Sequence, residues 1–175
     1  PHTDEPQGIS IALAKRLAKQ LGLVTEIIEY NAAGDVVAAL DSDNPADHWD
    51  VAFLARDPLR AETIGFTAPY VVIEGCYIVR ESSGIKSLAD IDQPGRRISV
   101  NKGAAYDLYL SRHLKHAEIV AAGPETNAVE VFLQHGLDAA AGVRHPFSKI
   151  VANTPDLILL QENFMTIEQA MCVPK

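Results

Sequence analysis

From Gly8 to Val173 the chain alternates two kinds of apolar pattern, and that alternation limits what it can become. Short runs rich in β-branched residues are followed by stretches whose apolar residues recur every three to four positions, the periods of strand and helix. Val24–Tyr30, Val51–Leu54, Arg97–Val100, Glu118–Ala121, Leu137–Ala141 and Thr166–Val173 read as strands, with Leu157–Leu160 extended. Gly8–Leu21, Gly34–Leu40, Tyr106–Leu114, Glu125–Gln134 and Phe147–Val151 read as helices. In the first helix Ile9, Leu13, Leu17 and Leu21 share a face with Ala14 and Ala18, while Lys15, Arg16, Lys19 and Gln20 face water. Gly22 ends it. In Glu125–Gln134 the inward residues are Val129, Phe132 and Leu133. A helix between strands returns the chain parallel to itself, so the expected class is α/β with mostly parallel sheets.

One run breaks the rhythm. Val71–Val79 is too long for an ordinary α/β strand, which suggests two lobes instead of one sheet. A chain of 175 residues with 47% hydrophobic content can bury a core in either arrangement. The net charge of −8, with no basic run, argues against nucleic acid and anionic membrane surfaces. No apolar stretch is long enough for membrane insertion, and no signal peptide stands at Pro1. Cys76 and Cys172 lack metal-ligand spacing and read as small buried hydrophobes.

Chemistry concentrates in Asp50–Tyr70. Asp57-Pro58 after the Val51–Leu54 strand reads as a helix start, with Asp57 as N-cap and Pro58 at the first helical position. Arg60 then falls in the first turn, where a cation opposes the macrodipole at a cost of up to ~1 kcal/mol. A bound anion would compensate it. The plainer alternative is an exposed cation pairing with Glu62 or Asp57. Ligands of open α/β sheets sit outside the carboxyl ends of strands, which here selects Ala55–Arg60 and the turn Gly103-Ala104-Ala105. Asn31 and Tyr70 are weaker candidates, each with a packing alternative for its neighbourhood. His113 and His116 are three apart, a spacing commoner in surface histidines than in metal pairs. No Ser/His/Asp, Cys/His or phosphate-loop pattern occurs, and no cofactor is implied.

The order Asp-Val-Ala-Phe-Leu-Ala (50–55), Asp-Pro-Leu-Arg-Ala-Glu (57–62) and Phe-Thr-Ala-Pro-Tyr (66–70) resembles the core motif of the family 3 extracellular solute-binding proteins. Gly8–Gly22 resembles that family's first helix, and Ser87–Tyr106 its Ser-Leu-x-Asp-Leu segment. The resemblance implies the type II periplasmic binding fold, with Val71–Val79 as a crossover between lobes. It implies a first lobe over residues 1–71, rejoined by 171–175, and a second over 72–170. It also leaves a Cys76–Cys172 bridge open, because the crossovers run side by side. In the family the residue matching Arg60 clamps a ligand carboxylate, helped by amides of the turn matching Gly103–Ala105.

Several positions depart from the family pattern. Hydroxyl residues are usual where Ala55, Ala104 and Ala105 stand, and an Asp that holds the ligand's ammonium is usual where Val143 stands. An ammonium there would lack a carboxylate partner, which disfavours ordinary amino acids. Arg144 can instead add positive charge or be a solvent-facing helix start, and Glu74 can supply a negative one. The family also has a strand before the Gly8 segment and a helical tail at the other end; with neither here, a truncated chain or a strand supplied by another chain is expected. The resemblance thus implies a periplasmic or extracellular receptor that passes a small anionic organic ligand (amino acid or carboxylate) to an ABC permease. The alternatives are an enzyme like the cyclohexadienyl dehydratases and a receptor sensor module.

Overall fold

The computed structural model describes residues 6–175, so the first five residues of the expected first lobe lie outside the described part. Helix α1 (Ile9–Leu21) forms as its periodicity dictates. Gly22 stops it in the left-handed conformation (φ 70°), where the Leu23 amide reaches back to the Ala18 carbonyl at 2.9 Å. Helix α2 (Ala33–Ala38) and strand β1 (Ala52–Ala55) follow, and then the long strand β2 (Ile64–Arg80). Beyond it come β3 (Arg97–Asn101), α3 (Ala105–His113), β4 (Glu118–Ala122), α4 (Ala128–Gln134), β5 (Ala139–Val143), α5 (Arg144–Ala152), β6 (Leu157–Leu159) and β7 (Met165–Pro174).

The strands form a sheet in the order β1-β7-β2-β5-β3-β4, with β6 also on β2. It is mixed, not mostly parallel. Only β3 pairs parallel with its neighbours β4 and β5, the product of the helical crossovers. The long strand β2 runs antiparallel to β5, β6 and β7, and β7 antiparallel to β1. The 17-residue β2 therefore ties the two ends of the molecule together. Its register on β7 shifts on both sides of Pro69, which has no N–H for the ladder.

Three apolar clusters fill the fold. Two cover the faces of the β2–β5–β3 region, one around Tyr77, Val79, Ile98 and Val100, the other around Ile78, Phe132, Leu137 and Ala140. The third and smallest joins Ala39, Trp49, Leu54, Ile64 and Cys172 beneath β1. Cys76 and Cys172 belong to different clusters and are both free, and burial pushes each thiol up to about 11.

Three expectations change. Residues 24–30 form no strand and pair with none among the described residues, and Val24 is 97% exposed. β-branched residues favour a pleated surface only where a neighbouring strand supplies one. Helix α4 starts at Ala128, because the Asn127 side chain accepts from the Val129 and Glu130 amides. Its buried stripe is Ala128, Val129, Val131 and Phe132, which leaves Leu133 44% exposed. The helix expected after Asp57 is a single 3-10 turn, Arg60–Glu62.

Candidate functional site

The N-cap of that short turn is Leu59, with no side-chain cap bond, so Asp57 does not take the capping place expected of it; its carboxylate accepts from the Leu59 amide at 2.9 Å just ahead of the turn. A three-residue turn carries little dipole, so the electrostatic cost foreseen for Arg60 does not come from a helix. It comes from burial. Arg60 is 4% exposed, and desolvation lowers its pKa, partly offset by the nearby Asp57 charge. Its Nη1 donates to the Ala55 carbonyl at 3.0 Å, and its Nη2 to the Gly103 carbonyl at 2.8 Å. Both acceptors are neutral. The Asp57 carboxylate is instead taken by Arg112, at 2.6 Å and 3.3 Å. A guanidinium has five N–H donors, and among the described residues Arg60 gives these two bonds.

Arg60 and Ala55, nominated from one segment, thus meet Gly103, nominated from another. Ala55 closes β1 and is itself buried. Gly103 sits at φ 73°, and a Cβ on it would come within 3.0 Å of the Gly34 Cα. The chain therefore needs glycine there both for the turn and for the close approach of α2.

The turn's amides are less available than expected. The Gly103 amide donates to the Asp107 carboxylate at 2.7 Å, and the Ala104 amide to the Asn101 carbonyl at 3.1 Å. Asp107 is the third residue of α3, so its side chain reaches back over the helix start as a capping acid does. Asn31 is exposed just ahead of α2. The Tyr70 hydroxyl meets Ser10 Oγ at 2.8 Å, and its ring stands edge-on to Phe53 at 5.8 Å. Val143 ends β5 opposite Gly75, at the margin of the Tyr77 cluster.

Arg144 opens α5 but does not point at Arg60's partners. Its Nε lies 2.7 Å from Asn163 Oδ1 and 3.2 Å from Glu74, and its Nη2 donates to the Leu160 and Gln161 carbonyls. It pins the loop before β7. Glu74, considered as a source of negative charge, is Arg144's ion-pair partner. His113 stacks on Tyr109 at 3.9 Å, and among the described residues no His/Cys/Asp/Glu group is placed to hold a metal. Sequence reasoning missed Arg112, Asp107 and Gly34. Asp107 carried a signal, its helix-start position four residues after Gly103. Arg112 carried none, because its partner lies 55 positions away.

The model of the bacterial extracellular solute-binding proteins, family 3, matches residues 1–167. The chain belongs to this family. Its fold is shared with solved binding proteins of the type II periplasmic class. A mutant of arginine-bound ArgBP from T. maritima is 21% identical, with a TM-score of 0.75 over 97% of this chain and 78% of that one. A putative ABC-transporter binding component from Wolinella succinogenes, complexed with lysine, is 19% identical (TM-score 0.70, 95% and 72% covered). The GluR0 ligand-binding core from Nostoc punctiforme, complexed with L-glutamate, is also 19% identical (TM-score 0.71, 95% and 76% covered). At these identities the likeness establishes the fold of this family 3 member. No curated protein matches it in sequence. Among its described residues no helix is long and apolar enough to cross a membrane.

Proposed function

We propose that this solute-binding protein captures a small organic carboxylate between two lobes, with Arg60 as the anion clamp. One observation carries the reading: a nearly fully buried guanidinium whose hydrogen-bond partners are two neutral carbonyls. A buried cation is costly where its nearest counter-charge, Asp57, is hydrogen-bonded to Arg112 instead, and a carboxylate with two acceptor oxygens matches the donors Arg60 keeps. Amino-acid ligands in the arginine, lysine and glutamate complexes support a carboxylate on this fold.

The lobes are 1–71 with 171–175, and 72–170, hinged near Val71-Val72 and Met171. Closure juxtaposes Ala55 and Arg60 with Gly103, Ala104 and Ala105, while Asn31, Tyr70 and Val143 shape the remaining walls. Arg144 acts by holding the 160–163 loop. Nearby acids are already engaged: Asp57 with Arg112, Asp107 with the Gly103 amide, Glu74 with Arg144. An ammonium group would compete for them, so carboxylates without one are favoured over ordinary amino acids. The receptor works outside the cytoplasm and delivers its ligand to an ABC permease.

A dehydratase would need a free acid or base, and Glu74, its nominee, is held by Arg144. A thermal-shift screen of keto acids, dicarboxylates and amino acids tests the proposal, since binding stabilises by mass action. A carboxylate that raises the midpoint without being consumed supports it; turnover of a prephenate-like acid would replace it with the enzyme.

A further inference from the structure

Two arginines cross between the proposed lobes in opposite directions. Arg60, in the segment after β1, donates to the Gly103 carbonyl at 2.8 Å. Arg112, on α3, donates back to Asp57, Nη2 to Oδ2 at 2.6 Å and Nη1 to Oδ1 at 3.3 Å. Asp57 stands three residues before Arg60. The Ala61 amide bonds to the Asp57 carbonyl at 2.9 Å, so one turn of chain brings the two side chains to the same side. Burial lowers the Arg60 pKa, and the Asp57 charge works against that from nearby.

A carboxylate this close to a guanidinium is an internal competitor for any anion. Were Asp57 to turn to Arg60, it would neutralise the clamp before a ligand arrived. The two-bond contact with Arg112 prevents that. The Asp57 side chain is 5% exposed, so water offers it little alternative, and its cationic partner decides where it points.

We propose that Arg112 is a positioning residue for the anion site: by holding the Asp57 carboxylate, it leaves the Arg60 guanidinium uncompensated and so sets the affinity for carboxylates. This rests on Arg60 being the clamp. Asp57 and Arg60 belong to the first lobe and Arg112 to the second, so the diversion operates when the lobes are together. With the lobes apart, Asp57 is free to pair with Arg60, and closure is thereby coupled to anion affinity.

The probe is acetate, a carboxylate with no other polar group, titrated at constant ionic strength and followed by the Gly103 amide resonance. Arg112→Met should weaken acetate binding about tenfold or more, because Asp57 is released onto Arg60. Asp57→Asn breaks the same ion pair but removes the competitor, so acetate should bind more tightly; an asparagine there still accepts from the Leu59 amide. The double variant should return to within about threefold of the parent protein. A contact that only braces the fold would lose affinity from either side. The proposal is overturned if both single variants weaken binding, or if Arg112→Met leaves it unchanged. Should Arg112→Met not fold, Asp57→Asn decides alone: tighter binding upholds the proposal, equal or weaker binding overturns it. Acetate binding absent from the parent protein, or retained by Arg60→Gln, overturns the clamp itself and this inference with it.

Discussion

Arg112 on α3 and Asp57 after β1 form an ion pair, Nη2 to Oδ2 at 2.6 Å, that joins the two sides of the Arg60 junction. The pair is asymmetric: the Asp57 side chain is 5% exposed, that of Arg112 32%. Together with the Arg60–Gly103 bond, it holds β1 and α3 in one arrangement.

Removing Arg112 strands a buried carboxylate, whereas removing both charges does not. Arg112→Met should destabilise the protein by about 2–3 kcal/mol, discounted for the partial exposure of the cation. Adding Asp57→Asn should restore part of that loss, giving a coupling of about 1–2 kcal/mol in a denaturant double-mutant cycle. Additive effects would mean that the pair contributes nothing. The single variant should also enlarge the radius of gyration in solution scattering.

Gly142 faces Phe147 so closely that an added Cβ would lie 2.2 Å from the ring, in a β5 position opposite Cys76. Gly142→Ala should cost about 1–3 kcal/mol by overpacking, measured as a lower denaturation midpoint. Gly103→Ala has a different cause, positive φ and the approach of Gly34, and should cost about 1–2 kcal/mol. It should also weaken ligand binding, which Gly142→Ala should leave unchanged.

Much of this was legible in the chain. Ser87-Leu-Ala-Asp90 has the spacing of a capping box with Asp in place of Glu, and the box forms, with Asp90 accepting from the Ser87 amide at 2.9 Å. The β3-turn-α3 unit follows from local pattern, whereas β5 runs on to Val143 and α5 starts at Arg144, three residues ahead of the expected Phe147. What the sequence hid depends on partners. Residues 24–30 carry strand chemistry without a strand beside them, and the mixed sheet follows from long-range pairing of β2 with β7. At the site, Arg60 was found for its charge, but the reason it is unusual is burial, not helix position. The pairing of Glu74 with Arg144 lies across 70 positions and no local rule reaches it.

The two thiols set a pH limit. Their ordinary value of 9.0 rises to about 11 on burial, so the unfolded chain ionises first. Between those values the unfolded state binds fewer protons, and stability falls as pH rises. Their contribution is complete below pH 9 and should decline by about 2 kcal/mol per thiol toward pH 11. Replacing Cys172 by Ala should flatten that part of the profile; an unchanged slope would mean that other groups set it.

Val143→Asp places a carboxylate at the end of β5, where no free acid now stands. Preference in competition binding should move from simple carboxylates toward the corresponding amino acids. An unchanged preference would place the ligand elsewhere.

The central claim is that Arg60 is kept buried to grip an anion. Arg60→Gln keeps a donor for the Gly103 carbonyl but removes the charge, so it separates gripping from support. Calorimetric titration with the carboxylate giving the largest thermal shift should show affinity falling about 100-fold, the value of a charged two-bond contact. Equal affinity in the variant and the parent protein would contradict the account.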